Sequence, residues 1–281
     1  MQMKVVETKD DARKLVRQWK EASSVVGLVP TMGYFHQGHL SLMEECKRRA
    51  DRVMVSLFVN PTQFSPSEDL DSYPRDLERD KALAERCGVD AIFIPGEEEM
   101  YLPGHRTWVT VQGLSEGLCG RSRPTHFRGV ATVVAKLFNI ILPDVAVFGE
   151  KDFQQLQIIR QMVRDLDMPV EIIGCPIVRE PDGLAMSSRN AYLNEEERRS
   201  AVCLFQALEL ATRLVQEGVE SCGAIQQALR QKIESFPFTK IDYIFTGDPQ
   251  TLEPVERVKR PLLVALAVFV GSTRLIDNTV I

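Results

Sequence analysis

Two apolar runs, Val25 to Val29 and Val53 to Val59, bracket a stretch in which Leu40, Leu42, Met43 and Cys46 recur at helical spacing. Near-continuous apolar runs of this length suit strands buried on both faces, as in a parallel sheet. Strand, helix, strand is a βαβ unit, and it commits this part of the chain to an α/β fold. The crossover opens on Pro30-Thr31-Met32-Gly33-Tyr34-Phe35-His36-Gln37-Gly38-His39. Its two histidines are three apart, so their rings share one side of a helical turn. A helix start carries unpaired N–H groups and a partial positive charge, which suits a phosphate. Two imidazoles beside it can donate hydrogen bonds as phosphate charge grows. The spacing therefore predicts a nucleotide site at the end of the first strand. The plainer alternative is a pair of structural histidines, although the chain has only 4 His and two of them fall here, between Gly33 and His39.

The alternation continues along the chain. A charged amphipathic helix is expected over 7–22, with Ala12, Leu15, Val16 and Trp19 on one face. Leu77, Leu83 and Ala84 mark a surface helix in the charged stretch 68–86. Ala91 to Ile94, Asp144 to Phe148 and Val170 to Gly174 read as further strands, and Trp108 to Val111 as another short one. Val130 to Ile141 is an apolar, central helix. Beyond Val178 the order changes. One long helix is expected from Glu195 to Gln216 and a second from Ser221 to Ile233, followed by strands near 241–245, 262–268 and 273–276. The expected organisation is a Rossmann-like parallel-sheet N-terminal domain over 1–177 and a smaller α+β C-terminal domain over 178–281.

Composition narrows the function classes. A formal net charge of -5 argues against general binding to nucleic acid or anionic membranes. The longest clean apolar run, Leu262 to Val270, is too short to span a bilayer. The start, Met1 to Glu7, lacks the apolar core of a signal peptide. The 6 Cys are scattered without a C-x-x-C pair, which predicts a cytoplasmic protein whose thiols stay reduced and mostly serve packing.

Polar residues collect at the strand–helix junctions. Pro61 ends the second strand at Asn60 and sets Gln63 at a strand's C-terminal end, where open α/β sheets bind ligands. Its amide can hold a hydroxyl or carboxylate, or simply face water. Arg121, Arg123, His126 and Arg128 make a basic loop that suits triphosphate or carboxylate, or is ordinary surface charge. Gly149-Glu150-Lys151-Asp152 opens a later helix. There Lys151 can neutralise a phosphate and Asp152 can accept from a ribose, with Gln155 on the same side of the helix. An acidic helix cap is the alternative, and Lys151 fits it poorly. Met186-Ser187-Ser188-Arg189-Asn190 offers two hydroxyls and a guanidinium, either a phosphate grip or a serine-rich turn.

Five stretches in order, PTMGYFHQGH (30–39), FVNPTQF (58–64), SRPTHFRGV (122–130), FGEKDFQQL (148–156) and MSSRN (186–190), closely resemble the pantoate–β-alanine ligase (pantothenate synthetase) family. The tail TRLIDN (273–278) is similar to that family's ending. The histidine element alone is shared with the wider HxGH nucleotidylyltransferase superfamily. Phe35 stands where the family most often has Leu. The resemblance implies ATP-dependent condensation of (R)-pantoate with β-alanine, giving pantothenate, AMP and diphosphate through a pantoyl-adenylate. A closed cleft would shield that anhydride from water. The resemblance assigns ATP to Met32, Gly33, Tyr34, Phe35, His36, Gln37, Gly38 and His39, to Gly149, Glu150, Lys151 and Asp152, to Val178, and to Met186, Ser187, Ser188 and Arg189. His36, His39, Lys151 and Arg189 would serve catalysis, with His39 the proton donor. Gln63 and Gln155 would bind pantoate, Gln63 also meeting β-alanine, and Arg123 and His126 match the family's basic loop. Mg²⁺ would arrive with ATP rather than in a protein carboxylate cage, and the chain would form a homodimer. Two other readings stand beside this one. The first is another HxGH nucleotidylyltransferase that leaves its nucleotide on the product, which Gln63 and Gln155 speak against. The second is a nucleotide-binding regulator without turnover.

Overall fold

Residues 3–65 and 68–281 are described in the computed structural model, so Met1 and Gln2, part of the start read against a leader segment, lie outside it. Strands β1 (Lys4–Val6), β2 (Val26–Thr31), β3 (Arg52–Leu57), β4 (Ala91–Phe93), β5 (Val145–Gly149) and β6 (Glu171–Cys175) form one sheet in the order β1-β4-β3-β2-β5-β6. Every pairing in it is parallel. Val26, Leu28, Val29, Val53, Met54 and Val55 are all fully buried, which is why the two founding runs carry almost no polar residue. The chain moves outward from β2 through β3 to β4, then returns to lay β5 on the other side of β2. β2 and β5 are thus neighbours where the strand order reverses, the place where open α/β sheets receive ligands.

Helices α1 (Lys9–Glu21), α2 (Gln37–Arg49), α3 (Leu77–Arg86), α4 (Glu97–Met100), α5 (Cys119–Ser122), α6 (His126–Ile141) and α7 (Phe153–Asp165) accompany this sheet. α1 is capped by Thr8, whose hydroxyl accepts from Asp11 N–H, and it buries the Ala12, Leu15, Val16 and Trp19 face that its periodicity predicts. α2 lies very close on β2. A Cβ at Gly27 would collide with Cys46 Sγ and stand 2.9 Å from Ala50 Cβ. Cys46 fills that contact, and burial pushes its thiol up to about 12. It is a packing residue.

Two local expectations change. Trp108 to Val111 forms no strand. Val109 N–H donates instead to Thr132 Oγ1 of α6 at 3.0 Å, and Arg128 lies 4.9 Å over the Trp108 ring. Strand β1, which pairs with β4, was not anticipated, because three residues, two of them exposed, carry too little pattern to read.

Contacts divide the chain into two units. The first runs to Glu116 and includes Gly120–Glu150 and Gln155–Pro176; the second comprises Gly117–Cys119, Lys151–Gln154 and Ile177–Ile281. The second holds α8 (Glu195–Ala201), α9 (Cys203–Gln216), α10 (Cys222–Glu234) and an antiparallel sheet, β7 (Thr239–Gly247), β8 (Leu263–Val270) and β9 (Thr273–Val280), in the order β7-β8-β9. β8 is central and nearly all apolar, as its run predicts. The single helix expected over 195–216 is two helices that meet at Val202. In a continuous helix, where successive residues turn by about 100°, Ala201 and Cys203 would point to opposite sides. The break lets both, with Leu204, reach the core. A parallel α/β sheet followed by a smaller α+β unit is the fold class expected from the sequence.

Candidate active site

β2 ends at Thr31 and the backbone reverses through Gly33 (φ +90°) and Tyr34 (φ +55°). The N–H groups of Tyr34 and Phe35 donate to the two carboxylate oxygens of Asp80, each at 2.7 Å. Asp80 belongs to α3, read from sequence as a surface helix, yet it is only 1% exposed. Burial raises its carboxyl above the ordinary range, although the two N–H bonds pull the other way. His36 then caps α2. Its Nδ1 accepts from Gly38 N–H at 3.1 Å, while its own N–H donates to His39 Nδ1 at 3.3 Å. His39 N–H bonds to the His36 carbonyl at 2.8 Å. The ring centres of His36 and His39 lie 4.1 Å apart.

The N–H groups of Tyr34, Phe35, His36, Gly38 and His39 are therefore all bonded within the protein. This changes the picture of bare helix-start amides waiting for a phosphate. Imidazoles stand in for them. Both Nδ1 atoms accept, so the proton of each neutral ring sits on Nε2, which makes each ring a donor there.

Gln63 ends the 3-10 turn Pro61–Gln63 just after β3 and is buried. Asn60 orients it. Asn60 Nδ2 donates to Gln63 Oε1 at 3.1 Å and to the Gly129 carbonyl at 3.2 Å. Asn60 Oδ1 in turn accepts from the hydroxyls of Thr62 and Tyr101, each at 2.9 Å. The Gln63 amide nitrogen is left facing Met32 Sδ at 3.1 Å. α6 presses against the same turn: a Cβ at Gly129 would stand 2.5 Å from the Thr62 carbonyl oxygen and 2.8 Å from Gln63 N.

The basic loop serves this turn too. Arg123 donates to His126 Nε2 at 3.1 Å, so Nδ1–H of His126 donates to the Gln63 carbonyl at 2.8 Å. Arg123 forms a two-point pair with Glu68 at 2.6 and 2.8 Å. Burial pushes the Glu68 carboxyl up, but the hydrogen bond and charge of Arg123 outweigh it and hold Glu68 below the ordinary range. Arg123 and His126 thus support the Gln63 backbone, and Arg123 has its charge matched. Gln155 sits half-buried in the first turn of α7, beyond Gly149 and the 3-10 turn Glu150–Asp152.

In the second unit, Met186 N–H donates to the Val178 carbonyl at 3.0 Å and Arg179 bridges Ala185, so 178–186 folds into a narrow hairpin that sets Val178 beside Met186. Ser187 caps the 3-10 turn Ser188–Tyr192, its hydroxyl accepting from Arg189 N–H at 3.3 Å. Lys151, Ser187, Asn190 and Asp277 line one small cavity, into which Leu184 and Leu275 also project. The chain's tail holds this arrangement. Asn278 Nδ2 donates to the Lys151 carbonyl at 3.0 Å, and Asp277 makes a two-point pair with Arg179 at 2.6 and 3.0 Å. Asp152 lies exposed beside Lys151.

Sequence reasoning missed Asn60, Glu68, Asp80, Asp277 and Asn278. Each bonds to a candidate site residue or, for Asp277, to Arg179 beside Val178 while also lining the cavity, and a lone polar letter carries no mark of burial. The one legible hint was two polar residues, Asp277-Asn278, inside an otherwise strand-like tail. Among the described residues no group of three or more His, Cys, Asp or Glu could hold a metal ion, and no helix is long and apolar enough to cross a membrane.

A family model described as pantoate–β-alanine ligase matches residues 4–280. The pantothenate synthetases of Thermotoga petrophila and Moorella thermoacetica are each 53% identical over 99% of this chain, covering 100% and 99% of their own lengths. The crystal structure of pantothenate synthetase from Thermus thermophilus matches with a TM-score of 0.94 at 45% identity, over 99% of both chains. That of the Francisella tularensis pantoate–β-alanine ligase, complexed with β,γ-ATP and β-alanine, matches with a TM-score of 0.82 at 32% identity, over 99% of this chain and 97% of its own.

Proposed function

The chain belongs to the pantoate–β-alanine ligase family and is an ATP-dependent ligase of that kind, and we propose that it works through a pantoyl-adenylate formed at the His36–His39 pair. A carboxylate cannot acylate an amine directly, because its leaving group would be oxide. In the proposed first step a pantoate carboxylate oxygen attacks the α-phosphorus of ATP, the bond to the β-phosphate breaks, and diphosphate departs. In the second, the β-alanine amine attacks the acyl carbon, the C–N bond forms, and AMP leaves as the amine loses its proton.

The observation that carries this reading is the paired histidine lock. Two rings with Nδ1 tied to backbone N–H groups are preorganised Nε2–H donors, and such donors stabilise charge developing on a phosphate without reorganisation. His36 and His39 are assigned to the α-phosphate, with His39 giving a proton as diphosphate leaves. Gln63, turned by Asn60, is assigned to pantoate and then β-alanine, and Gln155 to pantoate. Lys151 and Arg189 are assigned to phosphate charge, Asp152 to ribose hydroxyls, Val178 to the adenine, and Met186 to Ser188 to the phosphate grip. The parallel-sheet part, 1–177, would serve nucleotide and pantoate, and 178–281 would act as the lid. The proposal includes Mg²⁺ arriving with ATP, where it would offset phosphate charge.

The proposal extends to a cytoplasmic homodimer. The six cysteines, all without disulfides, support the compartment, and sedimentation would test the assembly. The deciding assay for function is pyrophosphate release. Release from ATP should require pantoate, and AMP should appear only when β-alanine is added as well. A stable nucleotidylated product that resists β-alanine would instead make the chain a nucleotidylyltransferase of another kind.

A further inference from the structure

We propose that Asp80 is a positioning residue for the adenylation step, its buried carboxylate holding the Gly33–Phe35 turn and, through that turn, the His36–His39 pair. The inference rests on reading that pair as the phosphate-binding group. Tyr34 has φ +55°, in the left-handed region that a residue with a side chain enters only when its surroundings hold it there. Two adjacent residues of α3 provide that hold. Arg79 places its guanidinium 5.4 Å from the centre of the Tyr34 ring, and Asp80 accepts both N–H groups of the turn. Gly33 completes the fit, since a Cβ there would stand 3.0 Å from Asp80 Oδ2 and 3.2 Å from Leu57.

Consecutive N–H groups that converge in this way form a concavity suited to an anion. Here the anion is the protein's own carboxylate. These two N–H groups are therefore taken, and at this junction the imidazoles are the groups assigned to the phosphate. The link onward is short and stiff: Phe35 is fully buried, its N–H is bound to Asp80, and its ring centre is 5.5 Å from that of His39. An amide cannot replace the acid. Asn offers one acceptor and one NH₂, so one turn N–H would face another donor.

The test is Asp80→Asn, read in two independent ways. The chain has only 4 His, so nitrogen-15 labelling of histidine resolves each ring by NMR. The inference expects the His36 and His39 ring signals to move while those of His105 and His126 stay in place. In steady-state kinetics, kcat/KM for ATP should fall between about tenfold and a hundredfold, the range for small displacements of reacting groups, with KM for β-alanine held within about twofold. Unmoved His36 and His39 signals with unchanged ATP kinetics overturn the inference. So does a change of all four rings and every KM together, which marks general loss of structure. Should Asp80→Asn not fold, Asp80→Glu carries the same readouts, because the longer side chain keeps the charge but displaces the oxygens. If the unaltered protein releases no pyrophosphate, the functional reading fails, while the NMR arm still decides the role of Asp80.

Discussion

At the scale of single residues, the lock on His36 and His39 separates two jobs that one imidazole performs. Nδ1 of His39 accepts from the His36 N–H and shapes the start of α2, while the tautomer this fixes makes Nε2–H the donor assigned to the chemistry. His39→Asn keeps a polar atom near the Nδ1 position and deletes the Nε2–H. We expect pyrophosphate release to fall by about 10²–10³, as when one preorganised donor is removed, with the melting temperature little changed. His39→Ala should lose both activity and some helix stability, so a thermal melt of the two variants side by side separates the roles. Full activity in His39→Asn would remove His39 from the reaction. Glu68 makes a different residue-level prediction. Its folded carboxyl sits below the ordinary glutamate value of about 4.3. The linked stability is therefore present above that value and is lost as pH falls through the lower folded one. Glu68→Gln should consequently be less stable than the unaltered protein at neutral pH, and the gap between them should close in acid. A gap independent of pH, followed by urea unfolding from pH 7 to 3, would show that the Arg123 pair does not carry it.

At the scale of elements, the meeting of α6 with the Pro61–Gln63 turn matters most. The Gly129 backbone lies where any side chain would press on the Thr62 carbonyl and Gln63 N, and its carbonyl accepts from Asn60. Gly129→Ala should push the turn away and misaim the Gln63 amide. The expected result is a KM for pantoate raised by about tenfold or more, with KM for ATP nearly constant, because small displacements of a positioned group cost that much. Equal changes in both constants would argue for general damage to the sheet. This contact also marks the limit of sequence reading. The apolar runs of β2, β3 and β8 were legible because burial on both faces leaves a one-dimensional trace. The Gly129 contact joins residues far apart in the chain, and glycine there looks like the punctuation of a loop. The break at Val202 escaped notice because Val202 itself keeps a right-handed helical conformation and no glycine or proline marks the place.

At the scale of the whole molecule, the residues assigned to ligands were chosen from the sequence, whereas most of the residues that bond to them came into view only with the structure. Lys151, Asp152 and Ser187 to Arg189 announce themselves as polar letters at strand–helix junctions. Asp277, by contrast, is known as a support only once Arg179 is seen folded against it. The cysteines extend this contrast into a prediction for the chain as a whole. Burial pushes the thiols of Cys46 and Cys203 up to about 12 and that of Cys175 to about 11. A thiol at 12 is thiolate in only about one molecule in ten thousand at pH 8, and the thiolate is the reactive form. Cys119 and Cys222 are buried as well, while Cys87 alone among the six is half-exposed. A disulfide reagent added to the folded protein at pH 8 should therefore modify Cys87 first, and the remaining thiols should react only after urea is added. Because Cys87 caps α3 at the end away from Asp80, its modification should leave pyrophosphate release intact. Peptide mapping of the modified protein identifies the site. Rapid labelling of Cys46 without denaturant would contradict the close seat of α2 on β2 that Gly27 permits, and with it the rigidity ascribed to the histidine pair.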